Sequence, residues 1–408
     1  MADCHIGSWR DQKLRDLSIK AFTKAIDECI KQNVDFVLIS GDLFNTALPA
    51  IDSLKLAVKK LKELKDKDIN VYGIAGSHDY SSSGKTMIDV LVNAGLFTDV
   101  FKGSVEHDTI TLDFTVDNKT GAKITGIKGR KGMLDRKYYE ALNRKNLEEE
   151  KGMKIFLFHT AISEIKPKEL EKIESAPMSY LPKGFDYYAG GHVHYIYEEK
   201  RDGYGLIAYP GALFPANFFE MEKYGNGGFY VAESVEAEQG SKKIELKWIP
   251  VPVKQTFNIS VNCDNKNPKQ VEDEIFDRIK GKEFINTIVL IRVSGTLFTG
   301  KPSDINFKGI FEALNRKSAY FVMKSTSMVT SREFADMKSR LDAEVIAEEM
   351  IIDKNLGFSK LPGITKENEK NMIVSLIKIL SAEKEDGEKV HDFEKRVSEE
   401  TEKIIKMN

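Results

Sequence analysis

The sequence predicts an α/β fold, and three observations predict it. Apolar runs of strand length recur along the first half of the chain, segments between the first of them carry apolar residues at helical spacing, and carboxylates and imidazoles gather where the runs end. Val34 to Ile39, broken only by Asp35, leads into Ser40-Gly41-Asp42; Ile69 to Ala75, Ile155 to Phe158 and Phe185 to Ala189 repeat the arrangement. Runs of this kind read as strands buried on both faces. Before Val34, the series Leu14, Leu17, Ala21, Phe22, Ala25, Ile26 and Ile30 keeps a helical period, and Ile51 to Leu64 does likewise with Leu54, Val58, Leu61 and Leu64 on one side. Polar groups at the carboxyl ends of such strands lie where α/β sheets bind ligands.

Five short segments carry those groups: Ala2-Asp3-Cys4-His5, Gly41-Asp42-Leu43-Phe44-Asn45, Gly76-Ser77-His78-Asp79, His159 and Gly190-Gly191-His192-Val193-His194. The chain has 7 histidines, and all but His107 and His391 fall inside these segments, so the clustering is not a scatter. Hard carboxylate oxygens mixed with imidazole nitrogens suit a pair of divalent ions, which stabilise both the attacking and the leaving oxygen of an in-line displacement at phosphorus. The layout is that of a two-metal phosphoesterase. Asp42 is the natural bridge between the ions. Asp3, His5 and His194 would complete one ligand set, and Ser77, His159 and His192 the other. His78 is left free beside them as the catalytic proton donor or transition-state stabiliser.

The motifs D-x-H, G-D-x-x, G-N-H-D, a lone His and G-H-x-H, in this order, resemble the calcineurin-like metallophosphoesterases. Ala-Asp-Cys-His-Ile-Gly and Gly-Asp-Leu-Phe further resemble the SbcD type, the group of the meiotic recombination eleven proteins. Tyr209-Pro210-Gly211-Ala212, Phe219-Glu220, Gly228-Phe229 and Ile291 to Leu297 agree with that subfamily, and the likeness covers roughly the first eighty per cent of the chain. The resemblance implies a metallophosphoesterase β-sandwich flanked by helices, with a small α/β capping domain and a helical C-terminal tail. Composition shifts place the nuclease domain at 1–245, the cap at 246–333 and the tail at 334–408.

Within the cap, Ile244 to Ile249, Thr256 to Val261 and Thr287 to Val293 read as strands, and Ile275 to Ile279 and Ile310 to Leu314 as helices. In the tail, Met337, Leu341, Val345 and Ile346, then Met372, Leu376, Ile379 and Leu380 after Leu361-Pro362-Gly363, keep a helical period, and Phe393, Val397, Ile404 and Ile405 follow. The resemblance makes this tail the docking segment for an SbcC-type coiled-coil ATPase. It also implies manganese as the metal, DNA ends and single strands as substrates, and a homodimer.

Two positions depart from the family. Ser77 stands where the family has Asn, offering a shorter and poorer neutral donor to the second ion, and Asn45 stands where many relatives have His. At the start, Asp3 should follow a buried strand of about five or six residues, yet only Met1 and Ala2 precede it. A start placed downstream of the true one is the expected reason. The other reading leaves Asp3 and His5 on a free end, where ordering costs about 1–2 kcal/mol of backbone entropy per residue.

The 408 residues, 41% hydrophobic and 30% charged, suffice for two or three domains with a substantial core. No apolar stretch reaches the length of a membrane span and the charged N-terminus resembles no signal peptide, so the expected compartment is the cytoplasm. Cys4, Cys29 and Cys263 are too few and scattered for a disulfide framework, and Cys4 is expected to point away from Asp3 and His5. A net charge of -2 excludes a broadly basic DNA-binding domain. Local patches must then serve, and Gly126 to Lys137, with Lys128, Arg130, Lys131, Arg136 and Lys137, is a candidate phosphate-binding loop. Ser83-Gly84-Lys85-Thr86 ends like a P-loop but has Asp79 at the required first glycine, which rejects nucleotide binding there. Two other readings compete with a DNA nuclease: a phosphoesterase on a non-DNA substrate, and a scaffold subunit whose metal site has decayed.

Overall fold

The computed structural model describes residues 1–81, 84–130, 132, 134–236, 242–332, 366–382 and 390–406. Two compact units divide the chain. The first holds Met1–Ser260, Ile275–Arg292 and Lys308–Ser325, and the second Val261–Glu274, Val293–Phe307 and the described part of Thr326–Asn408.

The first unit opens with α1 (Gln12–Lys31), β1 (Phe36–Ser40), α2 (Ile51–Asp66), β2 (Asn70–Ile74), α3 (Met87–Asn93) and β3 (Thr98–Asp99). A hairpin of β4 (Gly103–Glu106) and β5 (Thr109–Leu112) follows, then β6 (Thr115–Val116), β7 (Lys123–Ile127), α4 (Arg136–Glu140), α5 (Lys145–Glu149) and β8 (Lys154–His159). The unit continues with β9 (Tyr187–Gly191), β10 (Ile196–Arg201), β11 (Gly205–Pro210), α6 (Phe218–Tyr224) and the antiparallel pair β12 (Gly228–Glu236) and β13 (Lys242–Pro250). The elements β14 (Gln255–Asn262), α7 (Pro268–Ile279), β15 (Thr287–Leu297), α8 (Phe307–Arg316) and β16 (Phe321–Ser331) come next; the first four overlap the strands and helices expected from the sequence, whereas β16 was not expected.

Two larger sheets stack at the centre of the first unit, beside the two-stranded pairs β4-β5 and β12-β13. One is parallel, in the order β1-β2-β3, and the other runs β10-β11-β9-β8-β7-β6 with β11, β9, β8 and β7 parallel and antiparallel strands at both edges. The period of two in β1 explains how they stack. Phe36 and Leu38 face the space between the sheets with Tyr72, Ile74, Ile124, Ile155, Leu157 and Ala189, whereas Val37 and Ile39 join Leu14, Leu17, Phe22 and Leu61 under α1 and α2. In β8, Phe156 and Phe158 turn the other way, onto Tyr139, Leu147, Tyr188 and Tyr209. Every residue of β8 is buried, so this strand has apolar neighbours on both faces. The result is helix, sheet, sheet, helix: the flanked β-sandwich that the resemblance implied.

At the start of α1, the Asp11 carboxylate accepts the Lys13 N–H at 2.8 Å, and at the start of α3 Thr86 and Asp89 form a capping box. Thr86, the last residue of the rejected P-loop match, thus acts as a helix cap; Ser83 lies outside the described residues. In the second unit α9 (Lys366–Leu380) and α10 (Val390–Lys406) pack on each other, with Met372, Leu376, Ile379, Phe393, Val397 and Ile404 half-buried and Leu380 exposed. The expected helical series at Met337 to Ile346, the Leu361-Pro362-Gly363 break and the side chains of His391 and Ile405 lie outside the described residues. Among the described residues no helix is long and apolar enough to cross a membrane.

Candidate metal centre

The five motif segments converge at the carboxyl ends of the strands. Met1 to Ile6 lies alongside the end of β1: the Ser40 N–H donates to Met1 O, Asp3 N–H to Gly41 O at 3.1 Å and His5 N–H to Asp42 O at 3.0 Å. Ala2 also bridges Ala212, just past β11, and Leu213 N–H donates to Asp3 O, so this segment ties the two sheets together. Asp3 and His5 do not hang free. Asp42 follows β1, Ser77 and His78 follow β2, His159 ends β8, and His192 and His194 follow β9.

Close packing is achieved at a conformational cost. Asp3, His5, Asp42 and His192 all have positive φ, at 48°, 41°, 51° and 86°. Non-glycine residues in that region cost on the order of 1–3 kcal/mol each and cluster at functional sites. Gly191 is required by approach: a Cβ there would meet Ser40 O at 2.1 Å and His159 Nδ1 at 2.7 Å. Gly190-Gly191 therefore serves close backbone approach.

Asp42 stands at the centre. Its Oδ2 is 3.1 Å from His159 Nε2, 3.4 Å from Ser77 Oγ and 3.8 Å from His5 Nε2, and its Oδ1 accepts the His78 backbone N–H at 2.7 Å. Asp3 holds the other side. Its oxygens accept the His192 N–H at 3.1 Å, and Oδ1 lies 3.6 Å from His194 Nε2 and 4.0 Å from His5 Nε2. Potential ligand atoms of Asp3, His5 and His194, and of Asp3, Asp42 and His159, lie within 4.8 Å of one another. His192 packs its ring 5.3 Å from that of His159.

The donor set fits a cation. His5 and His194 turn their Nε2 atoms toward each other at 3.2 Å, both near the Asp3 carboxylate, so that with both imidazoles neutral and protonated on Nδ1 the two Nε2 lone pairs would converge on one cation. His5 Nδ1 is buried without a hydrogen-bond partner among the described residues. Without a metal the charges settle within the protein. Burial would raise the Asp42 and Asp3 carboxyls, but His159 beside Asp42 and His194 beside Asp3 hold them below the ordinary carboxylate value. Burial likewise pushes His159 down, and the Asp42 carboxylate overrides it to bring the imidazole to about 9. Burial wins at His5 and His192, each lowered to about 4. Cys4 sits in the apolar cluster under α1 with its thiol pushed up by burial to about 12, an inert neighbour of the site.

Beside the ligand groups lies a cavity of about 260 Å³ lined by Ser77, His78, Arg130, Asp135, His159 and His192, among others. A larger cleft of about 380 Å³ against Met1, Phe36, Tyr187 and Tyr230 holds none of the imidazoles, so chemistry belongs to the smaller one. His78 Nδ1 lies 3.0 Å from Asn45 O, which leaves Nε2 for exchange. Asn45 thus contributes its backbone carbonyl to the site. From the candidate basic loop, Arg130 reaches the cavity, with its guanidinium on the Tyr80 ring at 5.1 Å and bonded to Tyr138 Oη at 2.9 Å. Lys128 instead rests among the rings of Phe101, Tyr80 and Tyr138, and Lys131 lies outside the described residues.

Two residues escaped assignment in the sequence. Asp79 is buried and accepts the N–H groups of Gly76, Phe44 and Leu43 at 2.9, 3.0 and 3.3 Å, tying the second motif to the third. Burial raises its carboxyl to about 7. Glu220, at the start of α6, lies 3.0 Å from His194 Nδ1. Both were visible only as members of motif stretches.

Residues 1–195, which hold the strand-end carboxylates and the clustered imidazoles, match the family described as calcineurin-like phosphoesterase. The match assigns residues 1–195 to a domain of that kind. More narrowly, the chain is homologous to archaeal proteins named DNA double-strand break repair protein Mre11. The Methanocaldococcus jannaschii protein is 28% identical over 86% of this chain and 88% of its own length, and that of Saccharolobus solfataricus 24% identical over 93% of each. The Methanopyrus kandleri protein is 28% identical over 61% of this chain, which spans only 56% of that relative.

Proposed function

We propose that the protein is a manganese-dependent DNA nuclease that hydrolyses phosphodiester bonds, with exonuclease and endonuclease activity, in double-strand break repair. The observation that carries this reading is the convergence on Asp42 of Ser77, His78 and His159, beside the facing Nε2 atoms of His5 and His194. Asp3, His5 and His194 would hold one ion, Ser77, His159 and His192 the other, with Asp42 shared. When bound, the ions neutralise the phosphate and stabilise the charge that develops on the attacking and leaving oxygens.

The chain's own groups do the rest. Arg130, braced by Tyr80 and Tyr138, meets a non-bridging phosphate oxygen and orients the diester in the cavity. His78 is held by its backbone N–H on Asp42 and by its Nδ1–H on Asn45 O, so that as the imidazolium it donates its Nε2 proton to the leaving oxygen and is left as the neutral Nδ1–H form. The names of the relatives support DNA as the substrate. In this reading residues 246–333 are the capping domain that selects DNA ends, 334–408 dock an SbcC-type coiled-coil ATPase, and the protein acts as a cytoplasmic homodimer.

The test is Mn2+-dependent hydrolysis of end-labelled duplex and single-stranded DNA by the full chain, beside a His159→Ala variant. Cleavage by the parent, lost in the variant, is the expected result. Turnover of a phosphopeptide or small phosphodiester, with no cleavage of either DNA, would replace DNA as the substrate. No turnover of any of them would leave a decayed scaffold.

A further inference from the structure

The imidazoles of the site are not held alike. His159 donates Nδ1–H to the Ser40 carbonyl at 2.8 Å and His78 has the Asn45 carbonyl at 3.0 Å, whereas His5 Nδ1 has no partner among the described residues. Among these, His194 alone is backed by a carboxylate, with Glu220 Oε1 at 3.0 Å from its Nδ1. Glu220 is itself fixed and only 8% exposed. Its Oε2 accepts the Ala216 N–H at 2.8 Å, its Oε1 accepts from Asn217 Nδ2 at 2.5 Å, and its own N–H is capped by Asn217 Oδ1 at 3.0 Å.

A carboxylate behind a ligating imidazole fixes which nitrogen carries the proton and strengthens the other as a donor, and loss of such a partner typically costs 10–100-fold in metal affinity. We propose that Glu220 is a positioning residue that aims His194 Nε2 at Asp3 and His5 and makes the ion held by these three residues the first to load. The contrast with the other ligand set is built in. There the neutral Ser77 hydroxyl stands 3.4 Å from Asp42, and His159 is backed by a neutral carbonyl. The proposal rests on the metal-centre reading of the site but not on DNA as the substrate.

The test uses Mn2+ alone, titrated into the full chain by calorimetry. The parent should take up two ions in separate steps, the first tighter. Glu220→Ala should weaken the first step by about 10–100-fold and leave the second unchanged. Glu220→Gln, which keeps one acceptor oxygen, should lose less. In the zinc-loaded protein, chosen because Zn2+ is diamagnetic, the imidazole 15N–1H spectrum should show a hydrogen-bonded Nδ1–H at His194 that Glu220→Ala removes. An unchanged first step would overturn the proposal, as would equal weakening of both steps with a lowered melting temperature, the mark of a merely structural residue. Absence of Mn2+ uptake by the parent would overturn the metal-centre reading and the proposal together. Two-step uptake without DNA cleavage would count against the DNA reading while supporting this one.

Discussion

His159 Nε2 lies 3.1 Å from Asp42 Oδ2, while its Nδ1 donates to the Ser40 carbonyl at 2.8 Å. One imidazole thus links the end of β8 to the end of β1, and so the two sheets. In metal-free protein this pair holds His159 protonated up to about 9, against an ordinary value of 6.5. Its contribution to stability is fully present below 6.5 and is lost as pH rises through about 9. His5 and His192, lowered to about 4, act in the opposite sense: they destabilise the fold as pH falls from 6.5 toward 4. Urea melts in chelator should therefore show greatest stability near neutral pH. His159→Ala should flatten the alkaline limb; a limb that persists unchanged would refute the assignment.

His78→Ala should lower kcat by roughly 10²–10⁴-fold, the usual worth of a positioned proton donor, while sparing the fold and Mn2+ uptake. Among the described residues its ring makes a hydrogen bond to Asn45 O and none to Asp3 or Asp42. Single-turnover kinetics beside a Mn2+ titration separate the two effects, and loss of metal from the variant would end the role given to His78.

Ser77→Asn should tighten the second Mn2+ step by about three- to tenfold, on the order of 1 kcal/mol, because an amide oxygen reaches further and donates better than a hydroxyl. Calorimetry checks this. An unaltered second step would remove Ser77 from the ligand set.

Arg130→Ala should reduce kcat/KM by roughly 10- to 100-fold, mainly through KM, by removing a charge-assisted contact to phosphate. Lysine should restore little, since the guanidinium is placed by its plane on Tyr80 and its bond to Tyr138. A steady-state comparison of the parent, Ala and Lys forms decides it, and equal KM in all three would free Arg130 of the role.

Asp79→Ala should destabilise the domain by on the order of 3 kcal/mol, because the N–H groups of Leu43, Phe44 and Gly76 lose their acceptor in a buried place. Urea unfolding measures the loss. A change below about 1 kcal/mol would mean that water reaches these groups.

Much of the first unit was legible because its signals are local. A strand buried on both faces reads as a short apolar run, as Ile155 to Phe158 does, and an amphipathic helix carries its period in the residues themselves, as Leu14 to Ile26 does. The antiparallel edges β6 and β10 were not legible, since edge strands such as Ile196–Arg201 are polar and half-exposed and carry no run to read.

For the candidate site, the sequence by itself determined the kinds of donor present and their order along the chain, because motif residues follow strands whose ends the apolar runs define. Only the tertiary structure decided which donors meet. Glu220 lies 26 residues from His194, His159 lies 117 from Asp42 and His192 lies 189 from Asp3. Contacts at such separations depend on strand order and on the stacking of one sheet upon the other, which no local period encodes. Hence the carboxylate behind His194 and the backbone anchors on Asp79 became visible only when the sheets closed.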